Sequence, residues 1–224
     1  SVDALLLADF ARVGPGWTVV DLGAGVGVVA AVLARRMGRG LVWAVEIQAR
    51  LAACARINAA ALSQAAEIRV LETDWSKLTV KDTGGPVAAV VCNPPYRRLG
   101  SGRINPADEE AGARHEVFGS AASATQAAAR VLARGGRLAL VYPAPRLAGL
   151  FRDLAAAGFE PKRLRSVYSR AGEQATLALV EARLGGGEEL QVEPALYIHL
   201  EDGGYTPETA AILSGGPGGR PGAP

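Results

Sequence analysis

Ala88-Ala89-Val90-Val91-Cys92-Asn93-Pro94-Pro95-Tyr96 is the stretch on which the reading of this chain turns. Five apolar residues in a row, Ala88 to Cys92, have the continuous pattern of a strand buried on both faces. Pro94 and Pro95 end it, because neither can donate a ladder hydrogen bond and each fixes its own φ. Asn93, standing before a proline, is pushed toward an extended conformation. The expected product is a stiff turn at a strand's carboxyl end. It offers a side-chain amide, proline carbonyls free to accept and the ring of Tyr96. That set suits a planar amine, with acceptors aimed at its N–H groups and Tyr96 stacked on the ring beside it. A proline-rich turn with no ligand is the bland alternative, and the stretch alone leaves both open.

A second signal lies upstream. Residues 17–22 read as a strand, Gly23-Ala24-Gly25-Val26-Gly27 follows at once, and a helix over 28–37 stops at Gly38. Residues 40–47 read as the next strand, 48–61 as a helix, 67–72 as a third strand and the opening stretch as the fourth. Before these, residues 2–13 form an amphipathic helix candidate broken by Gly14-Pro15-Gly16. Downstream, residues 97–119 dissolve into polar residues and glycines, and a loop of that length in a compact domain is usually functional or disordered. A helix is expected over 120–133, ending at Gly135-Gly136, then a strand over 137–142 and a helix over 145–157 stopped by Gly158. Residues 163–168 and 176–182 are separated by a short connection and are expected to form an antiparallel hairpin. A short extension over 190–200 follows, and the Gly- and Pro-rich residues 211–224 read as a tail.

This alternation predicts an α/β chain: a Rossmann-like, mainly parallel seven-stranded sheet, helices on both faces, and a C-terminal antiparallel hairpin. The switch-point rule puts a ligand crevice outside the carboxyl ends of the first and fourth strands, where the glycine loop and Asn93-Pro94-Pro95-Tyr96 both fall. With 224 residues, a single domain over 1–210 is expected. No apolar run approaches the ~18–20 residues of a membrane span, and no signal segment stands at the start. Cys54 and Cys92 read as two buried free thiols of a reducing, cytoplasmic chain, and no spacing suggests a disulfide or a metal site. A formal net charge of +2 permits nucleic-acid binding without arguing for it.

Individual residues then take candidate roles. The loop has G-x-G-x-G spacing; a dinucleotide fingerprint needs its third glycine one place later, where Val28 stands. Gly23, Gly25 and Gly27, with Ala24, would bring backbone close to a ligand, unless they only make a tight turn. Asp21 is an awkward charge at a strand's end unless it fixes the loop or receives a cationic amine. Glu46 ends the second strand, where an acid meets ribose hydroxyls in such folds or simply faces solvent. Asp74 follows the third strand and either bonds an adenine's amine or begins a turn.

Asp21-Leu22-Gly23-Ala24-Gly25-Val26-Gly27, Glu46, Asp74 and Asn93-Pro94-Pro95-Tyr96, in this order, resemble the class I S-adenosylmethionine-dependent methyltransferases. The tetrapeptide is similar to that of the amino methyltransferases acting on adenine, guanine or glutamine nitrogen. More narrowly, three stretches resemble the bacterial tRNA adenine-37 N6-methyltransferase family, which acts on a valine tRNA. They are Asp3-Ala4-Leu5-Leu6-Leu7-Ala8-Asp9-Phe10, Ala113-Arg114-His115-Glu116 and Pro194-Ala195-Leu196-Tyr197-Ile198. Members of that family carry a further segment before the position of Asp3, and the expectation is that this segment is missing here. The resemblance implies S-adenosyl-L-methionine as cofactor, tRNA as partner, no metal and no membrane, and it leaves the oligomeric state open. It assigns the cofactor to Asp21, Gly23, Ala24, Gly25, Gly27, Glu46, Asp74 and Asn93, and the chemistry to Asn93, Pro94, Pro95 and Tyr96.

For RNA contacts the candidates are Arg114 and His115 in the long loop and a basic patch of Lys162, Arg163 and Arg165, with Arg170 beside it. Methylation of a glutamine amide in a translation release factor is the nearest rival, and a non-catalytic RNA-binding module on the same fold is the third reading. Nicotinamide dehydrogenase chemistry stands far behind both, given the glycine spacing.

Overall fold

A computed structural model describes residues 2–62, 65–94 and 120–215. Its centre is one sheet in the order β3-β2-β1-β4-β5-β7-β6, extended by two short strands, β8 and β9, that both pair with β6. The strands are β1 (Thr18–Leu22), β2 (Leu41–Glu46), β3 (Glu67–Glu72), β4 (Val87–Cys92), β5 (Leu132–Pro143), β6 (Phe159–Tyr168), β7 (Ala175–Leu184), β8 (Gln191–Val192) and β9 (Leu196–Tyr197). The helices are α1 (Val2–Phe10), α2 (Val28–Met37), α3 (Ala49–Ala60), α4 (Ala121–Val131), α5 (Leu147–Ala156) and α6 (Pro207–Leu213).

β1 to β5 pair in parallel, while β7 runs antiparallel between β5 and β6. The expected hairpin is therefore present, and β7, not β6, is its inner strand. Val19 of β1, Val91 of β4 and Val141 of β5 face a core shared with α1 and α2. Their neighbours Val20, Val90 and Leu140 face a second core shared with α4 and α5. A strand apolar on both sides is what such a two-faced burial demands, and it is why β4 shows no alternation.

Several boundaries differ from the sequence expectation. The sheet has nine strands among the described residues where seven were expected, because residues 190–200 resolve into β8 and β9. β6 begins at Phe159, ahead of the expected residue 163. The strand accommodates Pro161 by a register shift between Pro161 and Arg163, a device that lets a proline stay at a sheet position. β5 takes in Gly135 and Gly136, with a matching irregularity between Val87 and Ala89. α1 stops at Phe10, three residues early. α6 was not anticipated and runs past residue 210; Thr206 caps it by accepting from the Thr209 N–H at 3.2 Å. Cys92 is buried but Cys54 is exposed, against the expectation of two buried thiols. No described helix is long and apolar enough to cross a membrane.

Candidate functional site

β1 and β4 are adjacent and in register, Leu22 opposite Cys92. The next residues, Gly23 and Asn93, therefore leave the sheet side by side, about 5 Å apart as neighbouring strands are. The two motifs meet at one edge.

The glycine loop is held by backbone and by two carboxylates. Gly23 and Ala24 donate their N–H groups to the Val45 carbonyl at 2.9 and 3.0 Å, which drapes the loop over the end of β2. Gly23, Gly25 and Gly27 all have positive φ, at 72°, 56° and 84°. They differ in what a side chain would meet. A Cβ on Gly23 would stand 3.0 Å from Trp75 Cζ3, and one on Gly27 3.4 Å from Ala55 Cβ. A Cβ on Gly25 would meet nothing within 4 Å. Two of the glycines thus serve packing, and Gly25 borders open space that a bound group could fill.

Asp21 is 1% exposed, and its Oδ2 accepts from the Ala30 N–H at 3.1 Å. That N–H belongs to the first turn of α2, one of the donors a helix leaves without an internal partner. Asp21 thereby ties the end of β1 to the start of α2, in keeping with the first of the two roles weighed for it. Burial lifts its carboxyl from an ordinary 3.8 to about 7; the Ala30 N–H pulls it back and the Glu46 charge adds to the rise. Cys92 follows Val91, the register partner of Asp21 on β4, and burial followed by the Asp21 charge pushes its thiol well above the usual range.

Glu46, 4% exposed, accepts from the Gly25 N–H at 2.9 Å on one oxygen and from the Gln48 N–H at 2.8 Å on the other. Its carbonyl accepts from the Thr73 N–H at 3.1 Å. The ends of β1, β2 and β3 are thereby tied in sequence. Asp74 caps a short 3-10 turn, Trp75–Lys77, by accepting from the Ser76 N–H at 2.7 Å. Asn93 is half-buried and Pro94 buried. Pro95, Tyr96, Arg114 and His115 lie outside the described residues.

Trp75 is the site residue that sequence reasoning passed over. Its ring lies under Gly23, and its Nε1–H donates to Ser123 Oγ at 3.1 Å, joining the glycine loop to α4. Arg130 of α4 donates to the carbonyls of Trp75 at 3.0 Å and Ser76 at 2.9 Å, locking the same turn. The available signal was a tryptophan directly after a strand-end aspartate.

The expected basic patch is occupied by internal partners. Arg163 is 3% exposed and bonds Glu193 at 2.6 Å, Glu181 at 3.0 Å and the Phe10 carbonyl at 3.2 Å. Arg165 makes a two-pronged pair with Glu208 at 2.8 and 2.9 Å. Lys162 donates to the carbonyls of Gly187, Glu188 and Glu189. These three brace the C-terminal region; Arg163 has no face to offer a phosphate. Of the group, Arg170 alone keeps a largely solvent-facing side chain, 3.8 Å from Glu173. No group of three or more metal-ligating side chains occurs among the described residues.

Fold and site together define a methyltransferase: the family model of the methyltransferase small domain matches residues 3–148. A solved structure of a predicted O-methyltransferase from Agrobacterium tumefaciens superposes with a TM-score of 0.74 at 24% identity, over 95% of this chain and 96% of that one. Among curated proteins, the tRNA1(Val) (adenine(37)-N6)-methyltransferase of Aeromonas hydrophila is 32% identical over 95% of this chain and 87% of its own length. A release factor glutamine methyltransferase of Koribacter versatilis is 38% identical, but over 36% of this chain and 27% of that protein. The chain belongs to the family of the tRNA1(Val) (adenine(37)-N6)-methyltransferases.

Proposed function

We propose that this chain is an S-adenosyl-L-methionine-dependent N-methyltransferase acting on the exocyclic N6 amine of an adenine in tRNA, next to the anticodon, with residues 1–210 working as one domain in the cytoplasm. One observation carries the reading. The glycine loop and Asn93-Pro94 emerge from in-register neighbouring strands, which supports a methyl donor held on one facing an acceptor amine held on the other.

The residues present fit the cofactor. Gly25 leaves a space that a side chain would close, and Glu46 and Asp74 stand at the ends of the next two strands. When bound, the cofactor supplies an electrophilic methyl group on a sulfonium. The protein's task is to prepare the nucleophile. An exocyclic amine is weak because its lone pair is delocalised into the purine. Asn93 Oδ1 and the Pro94 carbonyl, accepting its two N–H groups, localise that lone pair and aim it. Tyr96 is the residue assigned to stacking on a base swung out of the loop, as enzymes acting on bases require. The surplus proton of the alkylated nitrogen leaves to solvent. Catalysis is then mostly positioning and preorganised electrostatics.

The test is incubation with methyl-labelled cofactor and bulk unmodified tRNA, then digestion and identification of the labelled nucleoside. N6-methyladenosine is expected; no label in any RNA, with cofactor bound, overturns the assignment. Asn93→Ala should lower kcat about a hundredfold or more at saturating cofactor. A release-factor fragment as acceptor is the arm for the glutamine rival. Charge reversal at Arg163 and Arg165 does not separate the two, because both residues hold the fold together.

A further inference from the structure

We propose that the β9–α6 hairpin, with Tyr197, His199 and Tyr205, is a stacking platform for single-stranded loop nucleotides of the RNA substrate that flank the methylated base. The inference rests on the tRNA reading above and names a surface for it.

The connection begins with position. β6 runs parallel to β4 and β5, so Tyr168 at its end lies on the same sheet edge as Gly25 and Asn93. β9 continues that edge: Tyr168 is paired with Tyr197, and the N–H groups of Ile198 and His199 donate to the carbonyls of Tyr168 and Ser169, each at 2.9 Å. The chain then passes beyond the sheet, turns, and returns with Tyr205 bridged to His199. From β4 to β9 the sheet order counts four strand spacings, on the order of 20 Å. A few nucleotides of an RNA loop bridge that distance.

The chemistry of the hairpin follows. Tyr197 is 39% exposed and Tyr205 47%, large aromatic faces held open at a surface. His199 stacks on Tyr205 with ring centres 5.2 Å apart, and Tyr197 leans on Tyr168 at 5.3 Å. The platform is rigid before anything binds: the Tyr197 carbonyl accepts from the hydroxyls of Thr206 at 2.7 Å and Thr209 at 3.1 Å. Arg170 supplies a cation beside it, its Nη2 within 3.9 Å of where a Cβ on Gly203 would lie. Glu201 and Asp202 at the tip disfavour phosphate there, so the tip itself is not part of the platform. A groove of about 240 Å³, lined by His199, Tyr205 and the start of α1, opens beside the stack.

Stacking of bases on aromatic rings is how sequence-tolerant contacts to unpaired RNA are made, each stack contributing about tenfold in affinity. The basic patch expected from sequence is spent internally, so these rings are the described surface best suited to hold the loop.

The experiment compares the unaltered chain with a Tyr197→Leu/Tyr205→Leu pair and a Tyr197→Phe/Tyr205→Phe pair. Binding of a fluorescent anticodon stem-loop is read by anisotropy, alongside KM and kcat for tRNA and cofactor affinity by calorimetry. The leucine pair should weaken stem-loop binding and raise KM about tenfold or more, with kcat and cofactor affinity unchanged, and the phenylalanine pair should restore both. Ultraviolet cross-linking of the unaltered chain should map to the peptide spanning 197–205, which keeps the test independent of the variants' folding. Stem-loop affinity within twofold in the leucine pair, cross-links elsewhere alone, or no stem-loop binding by the unaltered chain overturns the platform. An unaltered chain that binds the stem-loop through this peptide but never methylates it supports the platform and sinks the proposed reaction instead.

Discussion

Asp21 and Gly25 concentrate what single residues do here. The folded Asp21 carboxyl, raised to about 7, keeps a proton that the unfolded chain releases near 3.8. Between those values the folded state binds more protons, so this group's contribution to stability falls as pH rises through the window and is flat above it. Asp21→Asn should remove that slope, on the order of 4 kcal/mol across the window. Denaturant midpoints from acid to neutral pH check it, and parallel curves for the two proteins would refute the raised value. The glycines make a second contrast. Gly25→Ala puts a Cβ into open space at φ 56°, costing about 1 kcal/mol of stability but closing the cradle. Gly23→Ala adds a 3.0 Å contact with Trp75 and should cost about 3 kcal/mol. Thermal midpoints and cofactor calorimetry separate them: Gly25→Ala should lose cofactor binding while staying folded.

Elements are joined at the C-terminal side by charge as much as by apolar packing. Glu181 of β7 accepts from Arg137 of β5 at 2.7 Å and from Arg163 of β6 at 3.0 Å, and the Arg163 guanidinium lies 4.1 Å over the Phe10 ring. The same guanidinium reaches the Phe10 carbonyl at the end of α1. At the other side of that helix end, Arg36 of α2 donates to the carbonyls of Ala8, Asp9 and Ala11. α1 is thus closed by two arginines from elsewhere in the chain. Arg163→Ala would strand Glu181, 1% exposed, without one of its partners and should cost about 3–5 kcal/mol in chemical denaturation. Arg165→Ala breaks a partly exposed pair and should cost about 1 kcal/mol, read best as faster hydrogen exchange in α6. A larger loss for Arg165 than for Arg163 would reverse this assignment.

On the scale of the molecule, a net charge of +2 with Arg137, Lys162, Arg163 and Arg165 engaged internally predicts weak dependence of tRNA binding on salt. A log–log slope near two to three released counterions is expected, and one of six or more would restore a phosphate clamp as the basis of binding. The fold class and the meeting of two motifs were legible because each is written in contiguous residues. Apolar runs without alternation mark strands buried on both faces, and glycines or prolines at their ends fix backbone directly. The partners of the charges were not legible. Arg163 stands opposite Glu181 through antiparallel register, and Trp75 reaches Gly23 from two strands away. Such contacts depend on which strands become neighbours, which no local pattern specifies. The sequence by itself determined the parallel sheet and the turn-forming residues at the end of β4, since conformational preference and hydrophobic period act over a few residues. Only the tertiary structure decided which arginines are struts and which glycine opens on space, because burial and ion pairing belong to residues that meet across the sheet.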